Sequence, residues 1–141
     1  MTQKIENIRL LWMSRHLPTP RQRIELGRLF PDASLRIDPK PFADAADVMR
    51  RIRESRADEL ICVAPLSVLQ KLSGYGICPI VADMELCSPD DTEAEVTSEG
   101  SGYHNGRPSR TYKFVRFRRL MGIEITYEEI KPCATTTHPA A

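Results

Sequence analysis

No Cys-x-x-Cys pair occurs in this chain, although it carries four cysteines. Cys62, Cys78, Cys87 and Cys133 are scattered and sit mainly in apolar sequence. That argues against a zinc or disulfide framework and for small core residues. His16, His104 and His138 are too far apart to suggest a metal site by themselves. Long apolar runs are missing as well. The first, Ile8 to Met13, follows polar Thr2, Gln3, Lys4 and Glu6 and is too short for a signal sequence core or a membrane span. The expectation is a cytoplasmic protein with no membrane partner. Neither a G-x-G-x-x-G fingerprint nor a P-loop lysine motif is present, which disfavours a standard dinucleotide or nucleoside-triphosphate site. There is also little net charge. A formal balance of +1 supplies no general basic field of the kind that coats duplex DNA. No internal repeat is visible.

What the chain does have is 141 residues, enough for one domain with a core that folds unaided. Apolar residues make up 41% and charged ones 28%, the proportions of a globular protein. The near-neutral balance hides a segregation of charge. Asp90, Asp91, Glu93, Glu95 and Glu99 come first, and no acid then occurs until Glu124. Inside that acid-free window lies Arg110-Thr-Tyr-Lys-Phe-Val-Arg-Phe-Arg-Arg119, where basic and aromatic side chains interleave. As an ideal strand it puts Tyr112, Phe114, Arg116 and Arg118 on one face and Lys113, Val115, Phe117 and Arg119 on the other. Such a face suits a ligand with flat rings and phosphates, because guanidiniums fork onto phosphate and rings stack on bases. The plain alternative is an exposed strand whose solvated charges prevent edge-to-edge pairing.

Periodicity predicts strand, helix, strand, helix, strand, helix, strand over the first 85 residues. Ile8 to Met13 reads as a buried strand, and Thr19-Pro20-Arg21-Gln22 opens a helix with an N-cap, a proline at the first helical position and a capping-box glutamine. Ser34 to Ile37 is a short strand. Phe42 to Arg56 is helical, with Phe42, Ala45, Val48, Met49 and Ile52 at three- and four-residue spacing. Glu59 to Ala64 reads as a central strand, Pro65 to Leu72 as a short helix ended by Gly74 and Gly76, and Ile77 to Ala82 as the next strand. The alternation predicts an α/β fold with a Rossmann-like, mostly parallel sheet flanked by helices. Residues 1–131 form a single domain, with 88–108 a loop, 109–131 a C-terminal antiparallel β-hairpin (Arg110 to Leu120 against Ile123 to Ile130), and 132–141 a disordered tail.

In open parallel sheets ligands gather outside the carboxyl ends of the strands. That rule selects Ser14-Arg15-His16, Pro65-Leu66-Ser67 and Asp83-Met84-Glu85. His16 has the chemistry of a general acid or base, Arg15 can neutralise charge on a pentavalent phosphorus, and Ser14 can hydrogen-bond a phosphate oxygen. The alternative is that Ser14 and Thr19 only shape the turn, with His16 at the surface. Ser67 by itself reads better as a plain first-turn helix residue than as a ligand contact. Lys71, Arg50, Arg51 and Arg53 read as solvated helix faces. Asp83 and Glu85 are a weak metal pair without a third ligand nearby.

Two separated pieces of this sequence resemble a known family. The turn His16-x-x-Thr19-x-x-Gln22 after the first strand is similar to the start of the small CRISPR-associated ring nucleases. Gly106-Arg-Pro-Ser-Arg-Thr-Tyr-Lys-Phe-Val-Arg-Phe-Arg-Arg119 resembles their C-terminal hairpin, with Phe114 where that family often has histidine. The likeness covers most of the chain in layout but only these two pieces in motif. It implies a CARF-related domain that acts as a homodimer, binds a cyclic oligoadenylate such as cyclic tetra-adenylate, and cleaves it without metal or cofactor. The substrate's own 2′-hydroxyl would attack, leaving a 2′,3′-cyclic phosphate and ending a type III CRISPR signal. The resemblance further implies catalytic roles for Ser14, Arg15 and His16, and substrate binding by Thr19, Gln22, Ser67, Lys113, Arg116 and Arg118. Phe114 cannot transfer a proton, so the hairpin is expected to grip rather than catalyse.

Overall fold

A computed structural model describes residues 7–98 and 110–133. In chain order these residues form β1 (Arg9–Met13), α1 (Pro20–Leu29), β2 (Ser34–Ile37), α2 (Ala45–Ser55), β3 (Glu59–Cys62), α3 (Leu66–Gly74), β4 (Ile80–Cys87), β5 (Ala94–Ser98) and β6 (Arg110–Arg119). One six-stranded sheet runs in the order β2-β1-β3-β4-β6-β5. The pairs β1–β2, β1–β3 and β3–β4 are parallel, whereas β4–β6 and β5–β6 are antiparallel. The sheet is therefore mixed, not purely parallel, with three parallel pairings followed by two antiparallel ones at its C-terminal side.

Alternation along β1 divides the core between the two faces of the sheet. Leu10 and Trp12 pack with Leu26 of α1, Ile61 and Ile80 on one side. Leu11 and Met13 pack with Ala45 and Val48 of α2, Leu60, Cys62 and Leu72 of α3 on the other. The helices start where local chemistry dictates. At α1 the Thr19 hydroxyl accepts from Gln22 N at 3.2 Å while Thr19 N donates to Gln22 Oε1 at 2.9 Å, so the expected capping box forms. At α2 the Asp44 carboxylate accepts from Asp47 N at 2.9 Å, which begins the helix at Ala45 and leaves Phe42 ahead of it, packed against the core.

The C-terminal half departs from expectation. Pro79 lacks an amide for the ladder, so β4 starts one residue later, at Ile80, and runs on to Cys87. β3 meets β4 only at Ile61↔Ile80, so most of β4 projects past the carboxyl end of β3. That long exposed edge takes β6, over Ile80↔Arg119 to Cys87↔Thr111. β5 lies inside the stretch 88–108 that was expected to be loop, and it supplies the antiparallel partner of β6. Ile123 to Ile130 forms no strand, so the expected pairing of 110–120 with 123–130 does not occur. The Asn105-Gly106 turn and residues 134–141 of the expected tail lie outside the described residues.

A β-bulge then rearranges the basic and aromatic side chains. Asp83 opposes Arg116 and Met84 opposes Phe114, which leaves Val115 without a partner. One extra residue inverts the alternation beyond it. Phe114 and Phe117, predicted on opposite faces, pack together with ring centroids 4.7 Å apart, and Phe117 meets Trp12 edge-on at 6.3 Å. Lys113, Arg116 and Arg118 share the other face. The mixed face of rings and guanidiniums that an ideal strand would present is not formed.

Candidate functional site

β1 feeds α1 and β2 to one side of the sheet, and the chain returns through α2 to place β3 on the other side of β1. The carboxyl ends of β1 and β3 therefore border a crevice where the strand order reverses, the location at which α/β sheets bind ligands. Ser14-Arg15-His16 leaves β1 at this point. The loop has a cavity on each side. A cleft of about 780 Å³ opens on the α1 side, and a smaller one of about 350 Å³ on the side of Pro39–Phe42. Ser14, Arg15 and His16 line both.

Two hydrogen bonds fold the loop. His16 N donates to Ser14 Oγ at 3.2 Å, and Trp12 Nε1 donates to His16 O at 2.9 Å. Trp12 is buried in the α1-side core, so its indole anchors the loop backbone. Arg15 and His16 are exposed, and neither side chain has a hydrogen bond or ion pair among the described residues. A free guanidinium and a free imidazole on an anchored backbone can meet a phosphate without first breaking an internal contact. The larger cleft continues from them over an apolar wall that includes Leu17, Ile61, Met84, Val96 and Tyr112. Its volume lies within the range of small-molecule sites.

Thr19 and Gln22 also line this cleft, yet their polar groups are already engaged. Besides the capping box, Thr19 Oγ1 donates to Glu95 Oε1 at 3.2 Å, and Arg21 N donates to the other oxygen of Glu95 at 3.2 Å. The helix N-terminus, where a phosphate would be drawn, thus holds the chain's own carboxylate. A second bulge accounts for it. Ala94 opposes Lys113 and Val96 opposes Tyr112, so Glu95 is displaced from the ladder and aimed at α1. Arg21 reinforces the strap by pairing with Glu93 at 3.5 Å. Buried Gln22 donates its Nε2 to Met84 Sδ at 3.6 Å, tying α1 to β4.

The remaining predicted contacts lie elsewhere. Ser67 is exposed on the first turn of α3, lines neither cavity, and makes no cap bond. Lys113 pairs with Asp91 at 3.3 Å, and Arg116 and Arg118 share Asp83 Oδ2 at 3.0 and 2.8 Å. Hydrogen bonding from Arg116, and then from Arg118, outweighs desolvation and lowers the Asp83 pKa. Asp91 likewise raises the pKa of Lys113. Exposed pairs of this kind are weak in themselves. What separates these cations from the cleft is the face they occupy, since Tyr112 lines the cleft and its neighbour Lys113 points the other way. The structure thus gathers Ser14, Arg15, His16, Thr19 and Gln22, but not Ser67, Lys113, Arg116 or Arg118.

Sequence reasoning missed Glu95 and Val96, whereas Met84 belongs to the Asp83-Met84-Glu85 segment that the carboxyl-end rule selects. The only signal for the missed pair was position near the basic strand, and no spacing rule announces the bulge that turns Glu95 inward. Cys62 lines the cleft, but burial pushes its thiol up to about 11, which makes it inert as a nucleophile near neutral pH. Among the described residues no group of three or more His, Cys, Asp or Glu side chains could hold a metal ion. Nor is any described helix long and apolar enough to cross a membrane. Comparison with protein-family models, curated proteins and solved structures finds no match to this chain.

Proposed function

We propose that this chain is a metal-independent ring nuclease. In this reading a homodimer binds a cyclic oligoadenylate, cyclic tetra-adenylate first among them, at the crevice beside Ser14-Arg15-His16, in a Rossmann-like, CARF-related domain. The observation that carries it is the pair of unengaged side chains, Arg15 and His16, on an anchored loop between two cavities at the reversal of strand order. An adenine fits the apolar wall of the larger cleft, and the attached phosphate then lies at the loop.

The chemistry needs little more. The ribose 2′-oxygen attacks the adjacent phosphorus, a P–O bond forms, and the bond to the 5′-oxygen breaks. The 2′-proton passes to a base, and the departing 5′-oxygen gains a proton. Products are a 2′,3′-cyclic phosphate and a 5′-hydroxyl. Arg15 stabilises the charge that accumulates on the equatorial oxygens, His16 moves a proton, and Ser14 donates its hydroxyl to a phosphate oxygen. Thr19 and Gln22 hold the loop and helix in register.

A second reading, binding without turnover, is favoured by Phe114. It stands where the resembled family often carries histidine, and here it is buried against Phe117. One experiment separates the two. The purified protein is incubated with cyclic tetra-adenylate in EDTA and the products are resolved by mass. A linear product bearing 2′,3′-cyclic phosphate is expected. Tight binding with an intact ring after long incubation removes the enzyme and leaves a non-catalytic sensor or sponge, and no binding removes both.

A further inference from the structure

Beyond β6 the chain has the pattern of a strand without a strand's partners. Ile123, Ile125 and Tyr127 alternate with Glu124, Thr126 and Glu128, the period of a half-buried strand. Leu120 N still donates to Pro79 O at 2.9 Å, and Met121 O accepts from Cys78 Sγ. From Gly122 to Pro132, no hydrogen bond or ion pair joins the segment to other described residues. Tyr127 is 87% and Ile130 95% exposed. Ile123 and Ile125 are half-buried, but the arm has no ladder partner among the described residues, and a strand without one is not stable by itself.

A sheet edge of suitable chemistry lies at the far side of the molecule. Among the described residues β2 pairs only with β1. Ser34 N donates to Ile8 O and Asp38 N to Trp12 O, so the amides of Leu35 and Ile37 face the open side. Leu35 and Ile37 are half-buried in the α1-side layer. Between them Arg36 is exposed, with no ion pair among the described residues. The other edge strand among the described residues, β5, carries Glu95 and is preceded directly by Glu93. It would set acids against the arm's Glu124, Glu128 and Glu129, and pairing two arms together would do the same. Like charges across a ladder destabilise it, and opposite charges support it.

We propose that residues 123–130 of one copy add as an extra strand to the β2 edge of a second copy, and that the exchange is reciprocal. The glutamates then face Arg36, and Ile123, Ile125 and Tyr127 extend the layer containing Leu35 and Ile37. A reciprocal exchange closes on a two-fold axis and covers an open edge in each copy. The inference rests on the arm and the edge, not on the ligand reading above.

Sedimentation velocity of the full chain across micromolar concentrations tests it. A species of twice 16.0 kDa is expected. Ile125→Pro removes an amide in mid-arm, outside every described helix and strand, so it should give a monomer with unchanged far-UV circular dichroism. Arg36→Glu should weaken the dimer about tenfold or more, and Glu124→Arg with Glu128→Arg in the same chain should restore it. A wild-type monomer overturns the proposal, as does an Ile125→Pro dimer of unchanged affinity. An Arg36→Glu dimer of wild-type strength, or a charge swap that fails to rescue, removes β2 as the docking edge and overturns it too. A dimer that never cleaves the ring counts against the ring nuclease alone. A monomer that cleaves it counts against the arm exchange and against the homodimer of the ring nuclease reading, but not against its chemistry.

Discussion

The guanidinium of Arg116 shares the Asp83 carboxylate with Arg118, whereas that of Arg15 meets no acid among the described residues and borders both cavities. If phosphate binds at the crevice, the two arginines must differ in consequence. Arg15→Ala should lower single-turnover ring cleavage by about 10²–10³, the loss typical of removing one donor to developing negative charge. Arg116→Ala should stay within about threefold, as expected for a solvated surface charge that contacts neither substrate nor loop. Equal losses would return the basic strand to the site. Asp47 offers an independent check on the fold. Hydrogen bonds from Arg51 chiefly, against desolvation and with help from Ala43 N and Arg50, hold its carboxyl down to about 2 from 3.8. A depressed folded pKa means stability that is present above 3.8 and lost as pH falls through about 2. Asp47→Asn should therefore melt below wild type at neutral pH, with the difference closing towards pH 2. An Asn variant that melts with wild type at every pH would remove the Asp47–Arg51 pair as a contributor. The sequence put both at one ligand, Arg15 as catalytic and Arg116 as binding, because Asp83 lies 33 residues from Arg116 and long-range pairing leaves no local signature.

At the scale of elements, legibility followed how local the determinant was. The α1 capping box depends on Thr19 and Gln22 alone, and it was readable. The division of β1 between two core layers follows from simple alternation, and it was readable too. The two bulges were not. A bulge is a property of two strands in register, and neither strand announces by itself that Val115 or Glu95 will be skipped. The bulge at Val115 makes Phe114 a core residue, and that leads to a direct test. Phe114→His would restore the residue common in the resembled family, but would set an imidazole beside Phe117. Its cost should be about 1–3 kcal/mol by urea denaturation, the usual penalty for a buried polar group without a partner, with no gain in ring cleavage. A faster variant of unchanged stability would mean that the side chain reaches the substrate. The bulge at Glu95 predicts the opposite sign. Glu95→Ala frees Thr19 Oγ1 and Arg21 N and removes a like charge from the cleft, so affinity for the anionic ring should rise about three- to tenfold. Weakened binding would instead make Glu95 a group that contacts the ligand or holds the cleft's shape.

The whole molecule has a net charge of only +1, and its basic strand is balanced by acids of the same chain. This separates crevice binding from general single-strand binding in one measurement. Each phosphate neutralised on a single strand contributes about −0.7 to the slope of log K against log salt. If a two-fold ring meets chiefly Arg15 from each copy, the slope should be about −1.4. If a linear strand instead lay along Lys113, Arg116 and Arg118 of both copies, it would approach −4, roughly six contacts' worth. That binder would also have to uncover Asp83 and Asp91, whose carboxylates would then repel the phosphates replacing them, so its affinity should be low as well as steeply salt-dependent. A titration of cyclic tetra-adenylate and a linear oligoadenylate across salt concentrations gives both slopes. A shallow slope with preference for the ring fits the crevice. A steep slope with preference for the linear strand would move the site to the opposite face of the sheet, where the three cations already lie side by side.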